Sequence, residues 1–258
     1  MLNSLIVARK ELIDHLRDTR ALASTGLYAL MGPAVVWLVV LASPGDGDDS
    51  GGAVFAVMAA VFTLASAFSG GSSVAIDMIA GERERRSLLP LLLNGVSRAE
   101  IAVGKWLATA VFALCSTLVT LLAFVVVFAL SAGIPRIAIA AATLVPSLLF
   151  LALFAAAVQL VVSMWCRNVK EANTYLNILI FVVIAVGMWL AFSPDSAQAW
   201  WFVVPVAGHQ RLLQIGLVGA EVPGAEAAVL AGVSTVAAAF ALMFAAKLFQ
   251  RDAIVHGE

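Results

Sequence analysis

The sequence predicts an all-α integral membrane protein with six transmembrane helices, an N-terminal amphipathic interfacial helix and both termini in the cytoplasm. Of its 258 residues, 62% are hydrophobic and only 12% are charged, whereas soluble domains are about 45–50% apolar and about 25% charged. The apolar residues are gathered into six long runs, and the basic residues flank those runs unevenly. An ordinary soluble domain is excluded by this composition.

Residues 1–20 favour an amphipathic helix that lies along the cytoplasmic surface of the membrane. Charged residues interrupt this segment throughout, which distinguishes it from a secretory signal peptide. An ordinary solvated lead-in is the simpler alternative. One broad apolar face of the predicted helix is formed by Leu2, Leu5, Ile6, Leu12, Ile13 and Leu16.

Six apolar runs follow, and each is long enough to cross a hydrocarbon core of about 30 Å. The second run reaches about 42 Å at 1.5 Å per residue, so we expect its end to protrude into the cytoplasm. The runs form one transmembrane domain, 21–249, which a cytoplasmic tail, 250–258, follows. The predicted spans are 21–43, 53–80, 99–132, 137–165, 174–192 and 226–249.

The distribution of basic residues predicts the orientation of these spans. With both ends inside, only Arg136 and Arg211 of the 15 lysines and arginines fall outside the cell. Such an asymmetry is the usual determinant of topology in membrane proteins.

A long external segment, 193–225, separates the fifth and sixth spans. Structureless loops of this length are uncommon in compact proteins, and Trp200 and Trp201 suit a membrane interface. Residues 209–218 (HQRLLQIGLV) are compatible with a short re-entrant helix or with a helix lying flat on the membrane.

The segment from Asp77 to Lys105 is a charged island between the second and third spans. Glu82 precedes Arg85 and Arg86 by three and four residues, which brings opposite charges together on a helix. Residues 97–100 (SRAE) form a capping-box pattern that opens the next helix. The simpler alternative is that these charges only set the topology.

Polar residues near the ends of two spans are candidates for a translocation path. In lipid, a stretch rich in serine and glycine can instead serve close helix packing, which is the simpler alternative. The candidate path residues are Ser69, Ser72, Ser73, Asp77, Asn173 and Asn177.

The sequence carries no pattern expected of an ATPase or a membrane protease. Gly104-Lys105 resembles the end of a phosphate-binding loop, but Ala99 and Trp106 occupy its first glycine and its Ser/Thr positions. The two cysteines and three histidines are too scattered for a metal site. We therefore expect no cofactor, no nucleic acid and no enzymatic activity in this chain.

The charged island resembles the ABC-type-2 transporter permease family, and within it most closely the sodium-extruding branch. The resemblance is carried by residues 80–85 (AGERER), 90–92 (PLL), 96–98 (VSR), 104–105 (GK) and 170–172 (KEA). Leu89 and Gly95 depart from the family pattern, which has glutamate and proline there.

This resemblance implies a permease subunit of an exporter in the cell inner (plasma) membrane, surrounded by lipid. It would dimerise with itself or a paralogue and would pair with a separate ATP-binding-cassette ATPase, which binds the ATP. The cargo would be sodium ion, a small drug, a peptide or a lipid. A non-transporting scaffold or sensor with the same docking loop is the alternative. The coupling segment would be 81–97, with contacts from Gly81, Glu82, Arg83, Glu84, Arg85, Arg86, Leu88, Leu91, Leu92, Ser97, Lys170 and Glu171.

Overall fold

The computed structural model describes residues 2–42, 49–85, 96–132, 135–191, 199–217 and 220–248, and every regular element in these ranges is helical. A π-helical turn, Asp77–Gly81, and a 3₁₀ turn, Ala199–Val203, supplement ten α-helices in the described ranges. These are α1 (Leu2–Arg17), α2 (Thr19–Ala42), α3 (Asp49–Gly70), α4 (Ser72–Ile76), α5 (Glu82–Glu84), α6 (Arg98–Ala132), α7 (Pro135–Trp165), α8 (Val169–Ala191), α9 (Pro205–Leu217) and α10 (Gly224–Leu248).

Among the described residues, six helical segments are long and apolar enough to span a membrane, which confirms the predicted all-α, six-span fold. They are Ala21–Ala42, Val54–Glu84, Arg98–Leu130, Leu144–Trp165, Val169–Leu190 and Gly224–Leu248. Large apolar side chains such as Leu38, Leu122 and Phe181 are exposed on the outside of the bundle. In water each would be disfavoured by about 1.5–3 kcal/mol relative to burial, so such exposure is typical of helices that span a membrane.

The long helix α6 is the centre of the bundle and packs against α1, α2, α3 and α7. Helix α7 also contacts α9 and α10, and α3 also contacts α8. The main core lies between these helices and includes Phe68, Phe124, Leu148 and Val183. We call the end of the bundle where α1, α5 and the α7–α8 connection meet the charged end.

The second span is interrupted at Gly71, a break that the sequence analysis did not predict. The amide of Gln159 in α7 donates hydrogen bonds to the carbonyls of Ala67 and Phe68 at 3.1 and 2.6 Å. A Cβ on Gly71 would lie 2.9 Å from Thr109 Cγ2. The glycine therefore permits close packing against α6 and α7, and Gln159 satisfies carbonyls that the break leaves unpaired.

Helix α1 packs on α6 through a face that the sequence analysis did not identify. This face buries Val7, Glu11 and His15. The predicted apolar face points away from the protein, since Leu5 and Leu16 are exposed. An uncovered apolar face is what a helix on the membrane surface requires, although that location stays a prediction.

Helix α9 lies within the predicted external segment and packs among α3, α7 and α8. A Cβ on Gly216 would approach Leu144 of α7 to 2.8 Å. The preceding 3₁₀ turn places Trp201 on Trp189 of α8, with ring centroids 6.0 Å apart. The helix is thus part of the packed bundle, and its re-entry into the membrane stays a prediction.

Candidate functional site at the charged end

Lys105 of α6 is fully buried, with 0% of its surface exposed, and it is surrounded by three oxygen acceptors. Its ammonium donates to Glu82 Oε2 at 2.8 Å, to Glu11 Oε1 at 3.1 Å and to the carbonyl of Met78 at 3.0 Å. All three ammonium donors are therefore used, as a buried charge requires. This cluster ties α1, the π-helical turn, α5 and α6 together.

The preceding residue, Gly104, allows α1 to approach α6 closely enough to complete this cluster. A Cβ at Gly104 would lie 2.7 Å from Val7 Cβ and 2.8 Å from the Ser4 carbonyl oxygen. The Gly-Lys pair, which resembles part of a phosphate-binding loop, thus has a packing role and an ion-pairing role in this structure.

A second ion pair lies beside the first, between Asp77 and Arg85. Arg85 Nη1 donates to Asp77 Oδ1 at 2.8 Å, and Nη2 donates to the Asp77 carbonyl at 3.3 Å. A Cβ on Gly81 would lie 2.7 Å from Asp77 Oδ1, so a glycine is needed between the partners. Asp77, a candidate path residue, is therefore part of the charged end. The pair spans the π-helical turn. Single π-helical turns of this kind are frequent at functional sites.

His15 of α1 contacts the same aspartate from the other side. Its Nδ1 lies 2.9 Å from the carbonyl oxygen of Glu11, and its Nε2 lies 3.5 Å from Asp77 Oδ2. Burial disfavours the charged ring, but the contacts with Asp77 and with the Glu11 carbonyl outweigh burial and raise the pKa of His15 above its ordinary value.

Arg83 holds the end of α7 rather than projecting freely from the loop. Its Nη2 donates to the carbonyl of Met164 at 3.1 Å, and its Nη1 donates to the carbonyl of Cys166. Cations are favoured at helix C-termini because the last carbonyls lack partners there. The partner contact predicted for Arg83 stays a prediction, and nothing in the sequence indicated its contact with α7.

Glu84 holds the start of α8 in the same way. Its Oε1 accepts a hydrogen bond from the backbone N–H of Val169 at 2.8 Å. Glu171, which was predicted to contact the ATPase, accepts from the Arg167 N–H at 2.7 Å, while its own N–H donates to Asn168 Oδ1 at 2.8 Å. Glu84 and Asn168 thus satisfy orphan donors in the first turn of α8, and Glu171 satisfies an N–H just before it. Lys170 is exposed on the same turn.

The predicted capping box at the start of α6 is present. The Glu100 N–H donates to Ser97 Oγ at 3.2 Å, and the Ser97 N–H donates to Glu100 Oε2 at 3.2 Å. The other predicted coupling residues, Arg86, Leu88, Leu91 and Leu92, lie outside the described residues.

The serines proposed for a path form their hydrogen bonds within the second span. Ser69 Oγ donates to the Ser66 carbonyl at 3.4 Å, and Ser72 Oγ donates to the Ser69 carbonyl at 2.7 Å. Ser73 Oγ is buried and has no hydrogen-bond partner in the described parts of the chain. A Cβ at Gly70 would lie 2.6 Å from Ser116 Oγ of α6, so this stretch packs tightly. The other two candidates, Asn173 and Asn177, are exposed on α8.

Two functional candidates, Glu11 and His15, were missed by the sequence analysis. They lie on the buried face of α1 with Val7, at intervals of four residues. That spacing places them on one helical face. It was the signal in the sequence from which they could have been identified. The sequence contains no local clue that Lys105 would be their partner.

Comparison with known proteins identifies the family to which this arrangement belongs. The family model described as "ABC-2 family transporter protein" matches residues 5–252. The ABC transporter permease protein NatB of Bacillus subtilis (strain 168) is 30% identical over 213 residues, which is 77% of this chain and 54% of that protein.

Two probable ABC transporter permease proteins named NosY match shorter stretches. The protein from Pseudomonas aeruginosa is 32% identical over 113 residues, covering 44% of this chain and 41% of that protein. The protein from Stutzerimonas stutzeri is 35% identical over 100 residues, covering 39% and 36%. The chain thus spans about half the length, or less, of the relatives it matches. With its six apolar helices and the near-complete family match, the chain is a multi-pass membrane protein that belongs to the ABC-2 family of transporter proteins.

Proposed function

We propose that the chain is the transmembrane permease subunit of an ATP-binding-cassette exporter. Two permease subunits, identical or paralogous, would form the path, and a separate ATPase subunit would dock on residues 81–97. The family match and the relatives named as ABC transporter permeases support this assignment. ATP hydrolysis would take place on the partner, because this chain has no phosphate-binding motif.

The main support for the proposal is the set of contacts that the side chains of residues 82–85 make within the bundle. Four consecutive side chains contact four different parts of the bundle: Glu82 contacts α6, Arg83 the end of α7, Glu84 the start of α8, and Arg85 the π-helical turn. A push on the loop that follows Arg85 would therefore reach several spans at once. Such a connection is what coupling to an ATPase requires.

The sequence of the adjoining loop supports a docked partner. Residues 88–93 (LLPLLL) are apolar, and apolar side chains left in water are disfavoured by about 1.5–3 kcal/mol each. The spans on both sides of the loop extend beyond the length of a hydrocarbon core, which would lift this segment away from the membrane. A groove on a cytoplasmic partner is therefore a better candidate than the membrane surface for burying these apolar side chains.

The distribution of the basic residues supports an orientation and a location for the protein. The basic residues concentrate at the charged end, which would place this end, both termini and the ATPase in the cytoplasm of a cell with the protein in its inner membrane. The cargo would be sodium ion, a small drug, a peptide or a lipid.

The experiment that tests the proposal replaces Leu91 and Leu92 together with aspartate. Two charges buried in an apolar groove are strongly disfavoured, so the variant should insert at normal levels yet fail to copurify with its ATP-binding-cassette partner subunit. The matched control replaces both leucines with methionine, which conserves volume and should preserve pairing. Copurification of the aspartate variant at wild-type stoichiometry would contradict the proposal.

A further inference from the structure

Helix α9 carries two buried glutamines, Gln210 and Gln214, on the side that faces the interior of the bundle. They are four residues apart and so share one helical face. The surfaces of Gln210 and Gln214 are 0% and 7% exposed, respectively. Both lie far from the charged end, in the half of the bundle that contains the end of α8.

The amide of Gln210 has no hydrogen-bond partner for its nitrogen or its oxygen among the described residues, and Gln214 Nε2 also has none there. A Cβ at Gly187 of α8 would lie 3.4 Å from Gln210 Oε1 and 3.3 Å from Val61 Cγ2 of α3. The unpaired amide therefore lies at the junction of α3, α8 and α9, in the space that Gly187 leaves.

A neighbouring residue on the same helix shows that α9 can satisfy buried polar groups. His209 is as buried as Gln210, yet its Nε2 lies 3.1 Å from the carbonyl oxygen of Ser147 in α7. Buried polar groups in native proteins are nearly always hydrogen-bonded, and each exception needs an explanation. A leucine would fill the position of Gln210 without an unpaired donor or acceptor, so packing alone does not explain the glutamine.

We propose that Gln210 and Gln214 form a hydrogen-bonding site for transported cargo, closed in this structure by α3 and α8 and opened when these helices separate during transport. The inference rests on the proposed function, and it narrows the cargo. A primary amide offers donors and an acceptor, which fits a hydroxyl or amide group on an organic cargo. A bare metal ion would use the oxygens and leave the Nε2 donors unpaired.

Thermal unfolding of the purified chain tests whether the amide is unpaired at rest. Gln210→Leu should raise the melting temperature, because an apolar side chain of similar size replaces an unsatisfied amide. The control Leu213→Met, at a buried core position on the same helix, should not raise it. A lower melting temperature for Gln210→Leu would show that the amide is already satisfied, and would overturn the site.

Cysteine labelling tests whether the site opens. In a background with both native cysteines replaced by alanine, Gln210→Cys should react with a membrane-impermeant maleimide several-fold faster when the complete transporter hydrolyses ATP. Leu213→Cys should stay unlabelled in both conditions. Equal labelling at both positions, or no labelling at Gln210→Cys while ATP is hydrolysed, would overturn the inference and leave the proposed function intact.

Two further measurements test the class of cargo and the proposed function independently of each other. Exchanging potassium for sodium in the buffer should not change the melting temperature of the wild-type chain; stabilisation by sodium that Gln210→Leu abolishes would overturn the assignment of an organic cargo. If no ATPase copurifies and no ATP is hydrolysed, the proposed function fails, and the cargo role of Gln210 and Gln214 fails with it.

Discussion

Replacing Lys105 with methionine would leave the carboxylates of Glu11 and Glu82 buried at the charged end without the cation that lies 3.1 and 2.8 Å from them. Methionine fills the space but donates no hydrogen bond. Removing one partner of a buried ion pair costs about 3–5 kcal/mol. In a chain of this size each kcal/mol shifts the melting temperature by roughly 2–4 °C, so we expect a decrease of about 6–20 °C. Lys10 lies 3.4 Å from Glu11 but is half exposed, which favours the lower part of this range.

Tryptophan fluorescence of the purified protein would follow the unfolding. Lys247→Met is the matched control, because Lys247 is exposed and its replacement should leave the melting temperature nearly unchanged. A triple variant that combines Lys105→Met with Glu11→Gln and Glu82→Gln removes all three charges and should recover much of the loss, since neutral replacement of a whole buried cluster is often tolerated. A single variant as stable as the wild type, or a triple variant no more stable than the single one, would refute the reasoning.

The remaining predictions concern the contacts of α1. Gly104→Ala should destabilise the protein by about 1–3 kcal/mol because its Cβ would meet Val7; Gly26→Ala, with nothing within 4 Å of the new Cβ, is the control, and equal melting temperatures would argue against tight packing of α1 on α6. The raised pKa of His15 means that its cationic form stabilises the folded chain below an ordinary histidine pKa of about 6.5, and that this contribution is lost as the pH rises through the raised value. The difference in melting temperature between wild type and His15→Gln should therefore shrink from pH 6 to pH 8, and a difference that is constant with pH would contradict the assignment.

The spans were predictable because the length and hydropathy of an apolar run specify a membrane helix without reference to other helices. The last span, predicted as 226–249, is Gly224–Leu248 in the structure. The break at Gly71 was not predictable in this way. A stretch of serine and glycine is equally compatible with an unbroken helix that packs closely on its neighbours. Gln159, the residue that stabilises the break, lies on another span.

The position of the candidate site was predictable from the sequence, but the contacts of its residues were predictable only in part. The capping box of Ser97 and Glu100 depends on residues three apart, and it is present. The contacts of Arg83 with α7 and of Lys105 with α1 depend on which distant helix lies within reach, and a spacing rule along one helix carries no information about that. From the sequence alone, the residues of the charged island are therefore indistinguishable from solvated surface charges. In the structure, several of them form hydrogen bonds or ion pairs within the protein.

The claim that residues 81–97 dock the ATPase is tested most directly by site-specific photo-crosslinking. Benzoylphenylalanine at Leu92, in the membrane complex with the coexpressed ATP-binding-cassette subunit, should give a light-dependent adduct with the combined mass of the two chains. The same probe at Leu122, an exposed apolar position on α6, should give no adduct with that subunit. An adduct from Leu122, or none from Leu92 while the two chains copurify, would contradict the account.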